Sequence, residues 1–301
     1  MRVVSLVPSA TEIIAALGLA GNLVGRSHEC NYPSEVEAVP VVSASRIDTE
    51  QLGSADIDSA VREALSDGRP LYEVDAELLE QLAPDLIVTQ DLCEVCAVSS
   101  GEVKRVSRID VETVSLDPRD LEEIEDSIRT LARHLHAAAQ GERLAQAFHH
   151  RIDFVHQLVR GLPRQRVFVA EWLDPPFAAG HWVPEQIRRA GGWDLLGADG
   201  EPSRQTTWTD VLDVDPEMLL LMPCGFHLSE TVDAWTKLPR PPDYEELLAV
   251  RRERIFALDG SAYFSRPGPR VVDGIELLAE IFDPDAFVDI APFGSWTPVD
   301  P

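Results

Sequence analysis

Positive charge is scarce in this chain, and lysine is scarcer still. Lys104 and Lys237 are the only lysines, and 26 basic residues stand against 52 acidic ones over 301 positions, a formal net charge of −26. Such an excess of anionic side chains repels polyanions, so nucleic acid is not an expected partner. Long apolar runs are missing too. None approaches the roughly 20 residues of a spanning helix, and no membrane insertion is expected. The opening residues Met1 to Pro8 run directly into a strand pattern and do not show the basic, apolar and small-residue order of a secretory leader. A cytoplasmic location is the expectation. There, the four cysteines, Cys30, Cys93, Cys96 and Cys224, are expected to be thiols or metal ligands and not structural disulfides. Also absent are G-x-G-x-x-G, G-x-x-x-x-G-K-[ST], G-x-S-x-G and H-E-x-x-H, which removes the best support for the common nucleotide, hydrolase and zincin chemistries.

What is present is the composition of a folded protein, with 45% hydrophobic and 26% charged residues. The length suggests two domains. Between two α/β-like halves, Glu142 to Arg160 forms one helical pattern. Leu144, Ala147, Phe148, Ile152, Val155 and Val159 recur at three- and four-residue steps, with Gly141 marking the start and Gly161 and Pro163 the end. On the N-terminal side, Val3 to Val7 reads as a strand, Ser9-Ala10-Thr11-Glu12 as a capping box, Leu23 to Gly25 and Val39 to Val42 as strands, and Leu86 to Thr89 as a buried strand. One helix is expected from Leu121 to Ala138. On the C-terminal side, Arg166 to Ala170, Met218 to Met222 and Ile255 to Leu258 read as strands, Glu171 to Phe177 as a loop, and about Pro269 to Phe282 as the last helix. The two halves echo each other: a helix, then Leu82-Ala83-Pro84-Asp85, then a strand; a helix, then Val214-Asp215-Pro216-Glu217, then a strand.

In open parallel sheets, ligands bind beyond the carboxyl ends of the strands. His28, Cys30, Cys93, Cys96, Trp172 and Cys224 all follow a predicted strand. The aromatics Trp172, Phe177, Trp182, Phe226, Tyr263 and Phe264 fall in loops, where they either stack on planar ligands or pack as a satellite core. Arg266 sits on a stiff segment before the last helix and either clamps a ligand or pairs with an acid. Cys93-x-x-Cys96 reads as a redox dithiol, half of a metal site, or buried thiols. A four-ligand zinc site would draw on Cys93, Cys96 and Cys224 with Cys30, His28 or His181.

Val4-Ser5-Leu6-Val7-Pro8-Ser9-Ala10-Thr11-Glu12, Ala16-Leu17-Gly18, Leu23-Val24-Gly25, Leu82-Ala83-Pro84-Asp85-Leu86-Ile87, Pro176-Phe177, Gly191-Gly192 and Asp215-Pro216 resemble the helical-backbone (class III) substrate-binding proteins of ABC importers. The similarity covers nearly the whole chain. The strings around His28, Cys93, His181, Cys224 and Arg266 resemble a leaderless, cobalamin-binding-like subgroup. The resemblance implies two Rossmann-like α/β lobes, each with a mainly parallel sheet, at residues 1–140 and 166–301. One long helix, residues 141–165, joins them, and one ligand lies between them. It implies a binding protein, not an enzyme, for a corrinoid such as cobalamin or a related bulky metal chelate. Ser9, His28, Trp172, Phe177, His181, Trp182, Phe226, Tyr263 and Arg266 are the candidate ligand contacts, with His181 or His28 as axial ligand. An ABC permease is the partner implied by the family, against which the expected cytoplasmic location counts. The alternative is a Cys/His metalloprotein holding zinc or iron among Cys30, Cys93, Cys96, Cys224 and His181, acting as a redox or hydrolytic enzyme.

Overall fold

The computed structural model describes residues 1–49, 52–92, 98–106 and 110–301. It divides into two compact units. The first comprises Met1–Leu52, Ser59–Pro118 and Glu122–Ala147; the second comprises Gly53–Asp58, Arg119–Leu121 and Phe148–Pro301.

The first unit begins with β1 (Val3–Ser5), α1 (Pro8–Ala16), β2 (Leu23–Arg26) and β3 (Ser43–Ser45). It continues with α2 (Ser54–Ser66), whose first turn through Asp58 belongs to the second unit, β4 (Tyr72–Val74), α3 (Ala76–Leu82), β5 (Leu86–Thr89), α4 (Ser100–Val106), β6 (Glu112–Ser115) and α5 (Leu121–His134), whose first residue also belongs to the second unit. Its sheet runs β2-β1-β5-β6, all parallel, and β3 and β4 form a separate antiparallel pair. Val4, Leu6, Ile87, Leu79 and Val103 pack its core. These are the β-branched and leucine-rich stretches expected of strands covered on both faces.

Four local expectations are corrected here. The serine at position 9 does not cap α1. The helix starts one residue earlier on Pro8, whose ring presets the φ of a first helical turn and whose missing N–H is no loss there; Val7 is the cap residue and offers no side-chain bond. The helix expected from Leu121 to Ala138 stops at His134, and His136 turns left-handed at φ 55°. Gly141 does not open the long helix α6 (Ala138–Val159); it lies inside the first turns. A Cβ there would overlap the Cβ of Ala132 on α5, so the glycine lets two helices touch along their backbones. The strand expected at Val39 to Val42 is displaced to β3, with Val41 making only a single bridge to Arg26.

α6 carries the chain from the first unit into the second, over 22 residues or about 33 Å. There follow β7 (Gln165–Leu173), β8 (Pro176–Ala178), α7 (Val183–Arg189), β9 (Gly192–Asp194), β10 (Arg204–Gln205), α8 (Trp208–Val214) and β11 (Met218–Leu221). The chain closes with α9 (Leu228–Lys237), α10 (Leu248–Arg251), β12 (Ile255–Leu258), α11 (Gly260–Tyr263), α12 (Val271–Phe282) and β13 (Trp296–Pro298). β7, β11 and β12 are parallel neighbours, and β9 runs parallel beside the start of β7. β8, β10 and β13 flank this centre in antiparallel pairing. Buried beneath it is an aromatic group in which Trp208 lies 6.3 Å from both Phe168 and Trp235, and Tyr244 lies 6.0 Å from Trp235. The Arg240 guanidinium covers the Trp235 ring at 4.1 Å.

The echo between the halves is a shared latch. α3 ends on Ala83 with φ 42°, and α8 ends on Asp215 with φ 43°; each is followed by proline, which cannot continue a helix. In the first unit, Arg2 donates from Nε and Nη2 to the Leu82 carbonyl at 2.8 and 2.6 Å, and its backbone N–H donates to Asp85 Oδ2 at 2.6 Å. In the second, Arg166 donates from Nη2 to the Val214 carbonyl at 2.6 Å, and its N–H donates to Glu217 Oε2 at 3.2 Å. Each acid returns its own N–H to the arginine's carbonyl at 2.8 Å. An orphan carbonyl at a helix C-terminus is thereby satisfied by the residue that starts a strand.

Candidate functional site

The carboxyl ends of β7, β11 and β12 bring three loops together in the second unit. β7 runs on through Trp172, which the sequence places in a loop, and returns through β8 as a hairpin with Trp172 opposite Phe177. The Trp172 ring meets Phe226, from the loop after β11, edge to face at 5.3 Å, and its indole N–H donates to the Ser54 carbonyl at 3.1 Å. The Cys224 N–H donates to the Glu171 carbonyl at 2.9 Å. The Glu171 carboxylate accepts from the Gly180 N–H at 3.3 Å and from the Ser203 hydroxyl. The loop after β12 joins them: the Ser261 N–H donates to the Phe226 carbonyl at 2.9 Å, and the Gly225 N–H donates to Ser265 Oγ at 3.3 Å. Gly260 has no room for a Cβ against the Met222 and Pro223 carbonyls, which is why glycine starts α11.

This arrangement sorts the candidates of the second unit. Trp172, Phe177, Phe226 and Tyr263 are half-buried, with apolar faces at the strand ends, and Cys224 is an exposed thiol. Trp182 is structural in its polar part, because its indole N–H donates to the Phe264 carbonyl at 2.8 Å in a buried position. His181 takes a left-handed φ of 51°, and its ring lies 5.8 Å from Trp182. Burial first, and then the charge of Arg119, hold its imidazole below the ordinary histidine value. Arg266 is buried at the end of the loop after β12.

In the first unit, His28 follows β2. Its Nδ1 lies 3.0 Å from Ser43 Oγ, its ring lies 5.6 Å from Tyr72, and its buried Nε2 has no hydrogen-bond partner among the described residues. Burial lowers its pKa, partly opposed by Glu29. Ser9 Oγ is likewise buried and without a partner among the described residues. Cys30 is enclosed, with Thr11 Oγ1 at 3.0 Å from its sulfur. Cys93 and Cys96 lie outside the described residues. Among the described residues, no group of three or more His, Cys, Asp or Glu side chains is placed to hold a metal ion, so the proposed Cys/His zinc or iron site gains no support. No helix of the described residues is long and apolar enough to cross a membrane.

One pair escaped the sequence reading. His227, at the start of α9, places Nδ1 at 3.0 and 3.2 Å from the two oxygens of Asp259, while its backbone N–H donates to Glu230 at 2.8 Å. The Asp259 hydrogen bond raises its pKa above the ordinary value, against burial and Arg266. The only sequence signal was adjacency to Phe226, because its partner lies 32 residues away.

The chain belongs to the periplasmic binding protein family, whose profile matches residues 3–262. It is 23% identical over 292 residues to the uncharacterized ABC transporter substrate-binding lipoprotein YvrC of Bacillus subtilis, covering 95% of this chain and 81% of that one. It is 24% identical over 277 residues to a vitamin B12-binding protein of Vibrio cholerae, covering 91% and 86%. Among solved structures, the periplasmic vitamin B12 binding protein BtuF of Vibrio cholerae superposes with a TM-score of 0.67 at 22% identity, covering 93% and 95%. A periplasmic heme binding protein from Pseudomonas aeruginosa gives 0.71 at 20% identity, covering 94% and 93%. The chain is thus a solute-binding protein and not an enzyme, and the redox or hydrolytic alternative is set aside. The expected cytoplasmic location is also corrected: the relatives are periplasmic or lipoprotein binding proteins, and an opening strand reports how a segment folds, not where the protein works.

Proposed function

We propose that the chain is the substrate-binding component of an ABC importer and takes a bulky metal macrocycle, a corrinoid or a related chelate. The observation that carries this reading is the aromatic surface at the carboxyl edge of the second unit, where Trp172 and Phe226 meet at 5.3 Å beside Phe177. Half-buried aromatic faces gain most from a large flat apolar ligand, and Arg266 supplies a fixed positive charge in a chain whose formal net charge is −26. The vitamin B12- and heme-binding relatives support the ligand class, and the substrate-binding lipoprotein supports the importer.

The test titrates the protein with aquocobalamin and with hemin, following tryptophan quenching and heat. All six tryptophans lie within residues 172–296 of the second unit, so quenching reports ligand near the proposed surface. Binding at about 1 μM or tighter is expected, equivalent to about −8 kcal/mol. Trp172→Ala should weaken it about tenfold. Neither heat nor quenching with either probe at about 100 μM, where a site of that strength would be filled, refutes the reading.

A further inference from the structure

Eight histidines are present, and they are not equally able to reach a metal. The Nε2 of His28 is buried. The ring of His181 packs with Trp182. His134 has a carboxylate partner, Glu112, at 2.8 Å, but belongs to the last turn of α5 in the first unit and not to the loops that follow β7, β11 and β12. His227 alone among these combines a carboxylate on Nδ1, a half-exposed ring, and a place directly after Phe226 in the loop that follows β11.

The chemistry of the pair follows from its atoms. A carboxylate only accepts, so in the neutral ring Nδ1 carries the proton toward Asp259 and Nε2 is left with its lone pair. Both contacts with Asp259 fall on Nδ1. An imidazole fixed in tautomer and orientation by a carboxylate on its other nitrogen is the arrangement that raises ligand basicity toward a metal. Asp259 is itself held, since its Oδ1 accepts the Ala262 N–H at 2.8 Å as the cap of α11.

We propose that His227 is an axial ligand, through Nε2, to the metal of the bound macrocycle, with Asp259 as its positioning residue. This rests on the metal-macrocycle reading above. The step is a ligand exchange: the metal–water bond breaks, a metal–Nε2 bond forms from the imidazole lone pair, water leaves, and no electron is transferred.

The test uses the full chain with aquocobalamin and with hemin, each with and without excess cyanide, which fills the axial positions. Without cyanide, wild-type protein should convert the visible spectrum of at least one probe to that of an imidazole complex. His227→Ala should abolish that change and weaken binding about tenfold or more, and added free imidazole should restore the spectrum. Asp259→Asn, which keeps the cap acceptor, should weaken binding about tenfold. With cyanide, wild type and His227→Ala should bind alike, which also establishes that the variant is folded. A wild-type complex that keeps its water ligand, or an imidazole spectrum that survives His227→Ala, overturns the axial assignment and leaves the binding function standing. Failure of both probes to bind under every condition overturns both.

Discussion

Asp194, at the end of β9, is buried in the second unit. Leu196 donates its N–H to Oδ1 at 3.2 Å, and Oδ2 has no hydrogen-bond partner among the described residues. Burial pushes its pKa from 3.8 to about 7, against the backbone donors around it. Between those values the unfolded chain has released a proton that the folded chain keeps, so stability falls as pH rises and levels off above about 7. A shift of about three units corresponds to about 4 kcal/mol. Asp194→Asn removes the titration. It adds a buried N–H₂ whose cost does not change with pH, so the informative quantity is the difference in unfolding free energy between variant and wild type. That difference should move in favour of the variant by about 4 kcal/mol between pH 4 and pH 8. The assay is urea unfolding by tryptophan fluorescence, which reports the second unit because it holds all six tryptophans. A difference constant to within about 1 kcal/mol over that range would show that the carboxyl is not held neutral by burial, and the reasoning would fail.

Trp235→Ala should cost about 3–5 kcal/mol in the same unfolding assay, because it empties the centre of the aromatic core and strands the Asp300 carbonyl that its indole N–H reaches at 3.0 Å; a loss under about 1 kcal/mol would contradict the packing described. Gly141→Ala should destabilise the first unit by about 1–3 kcal/mol through overlap with Ala132, and Ala132→Gly in the same chain should recover much of it, as read by circular dichroism melting. Additive losses in that cycle would exclude the contact. Macrocycle binding should weaken as pH falls below the raised His227 pKa, by up to about tenfold per unit, since an imidazolium has no free lone pair. The charged neighbours that set this value are Asp259, Arg266 and Glu230, and His227→Ala should flatten the slope. The His227–Asp259 pair itself stabilises the fold below about 6.5, and this contribution is lost as pH rises through the raised value.

The parallel strands were legible because their signal is local. Val3 to Ser5, Leu86 to Thr89, Met218 to Leu221 and Ile255 to Leu258 are short apolar runs bounded by breakers, and they are the strands at the sheet centres. The helix–proline–strand junctions were legible for the same reason. Misreadings occurred where a distant partner decides the outcome. Gly141 looks like a helix boundary until Ala132 is packed against it, and Asp174-Pro175-Pro176 looks like a loop until β8 is paired to β7. The α9 helix was missed although its polar face carries Ser229, Glu230 and Asp233, because its apolar anchor Trp235 acquires meaning only beside Trp208 and Tyr244. In the site, composition singled out the aromatics and thiols as unusual residues. It could not distinguish a tryptophan whose N–H is spent on a buried carbonyl from one at a surface, nor find a histidine paired across 32 residues.

The latch between strand start and helix end also bears on how the chain tolerates growth. It closes over 83 residues between Arg2 and Asp85, but only 51 between Arg166 and Glu217. If closure entropy scales as (3/2)RT ln n, the longer loop costs only (3/2)RT ln(83/51), about 0.4 kcal/mol more. The β3–β4 pair and most of α2 lie inside that longer loop. Material can therefore be spliced between β1 and β5 at almost no thermodynamic penalty while the junction keeps its geometry, which makes this interval the place where relatives can diverge in length and in what they carry.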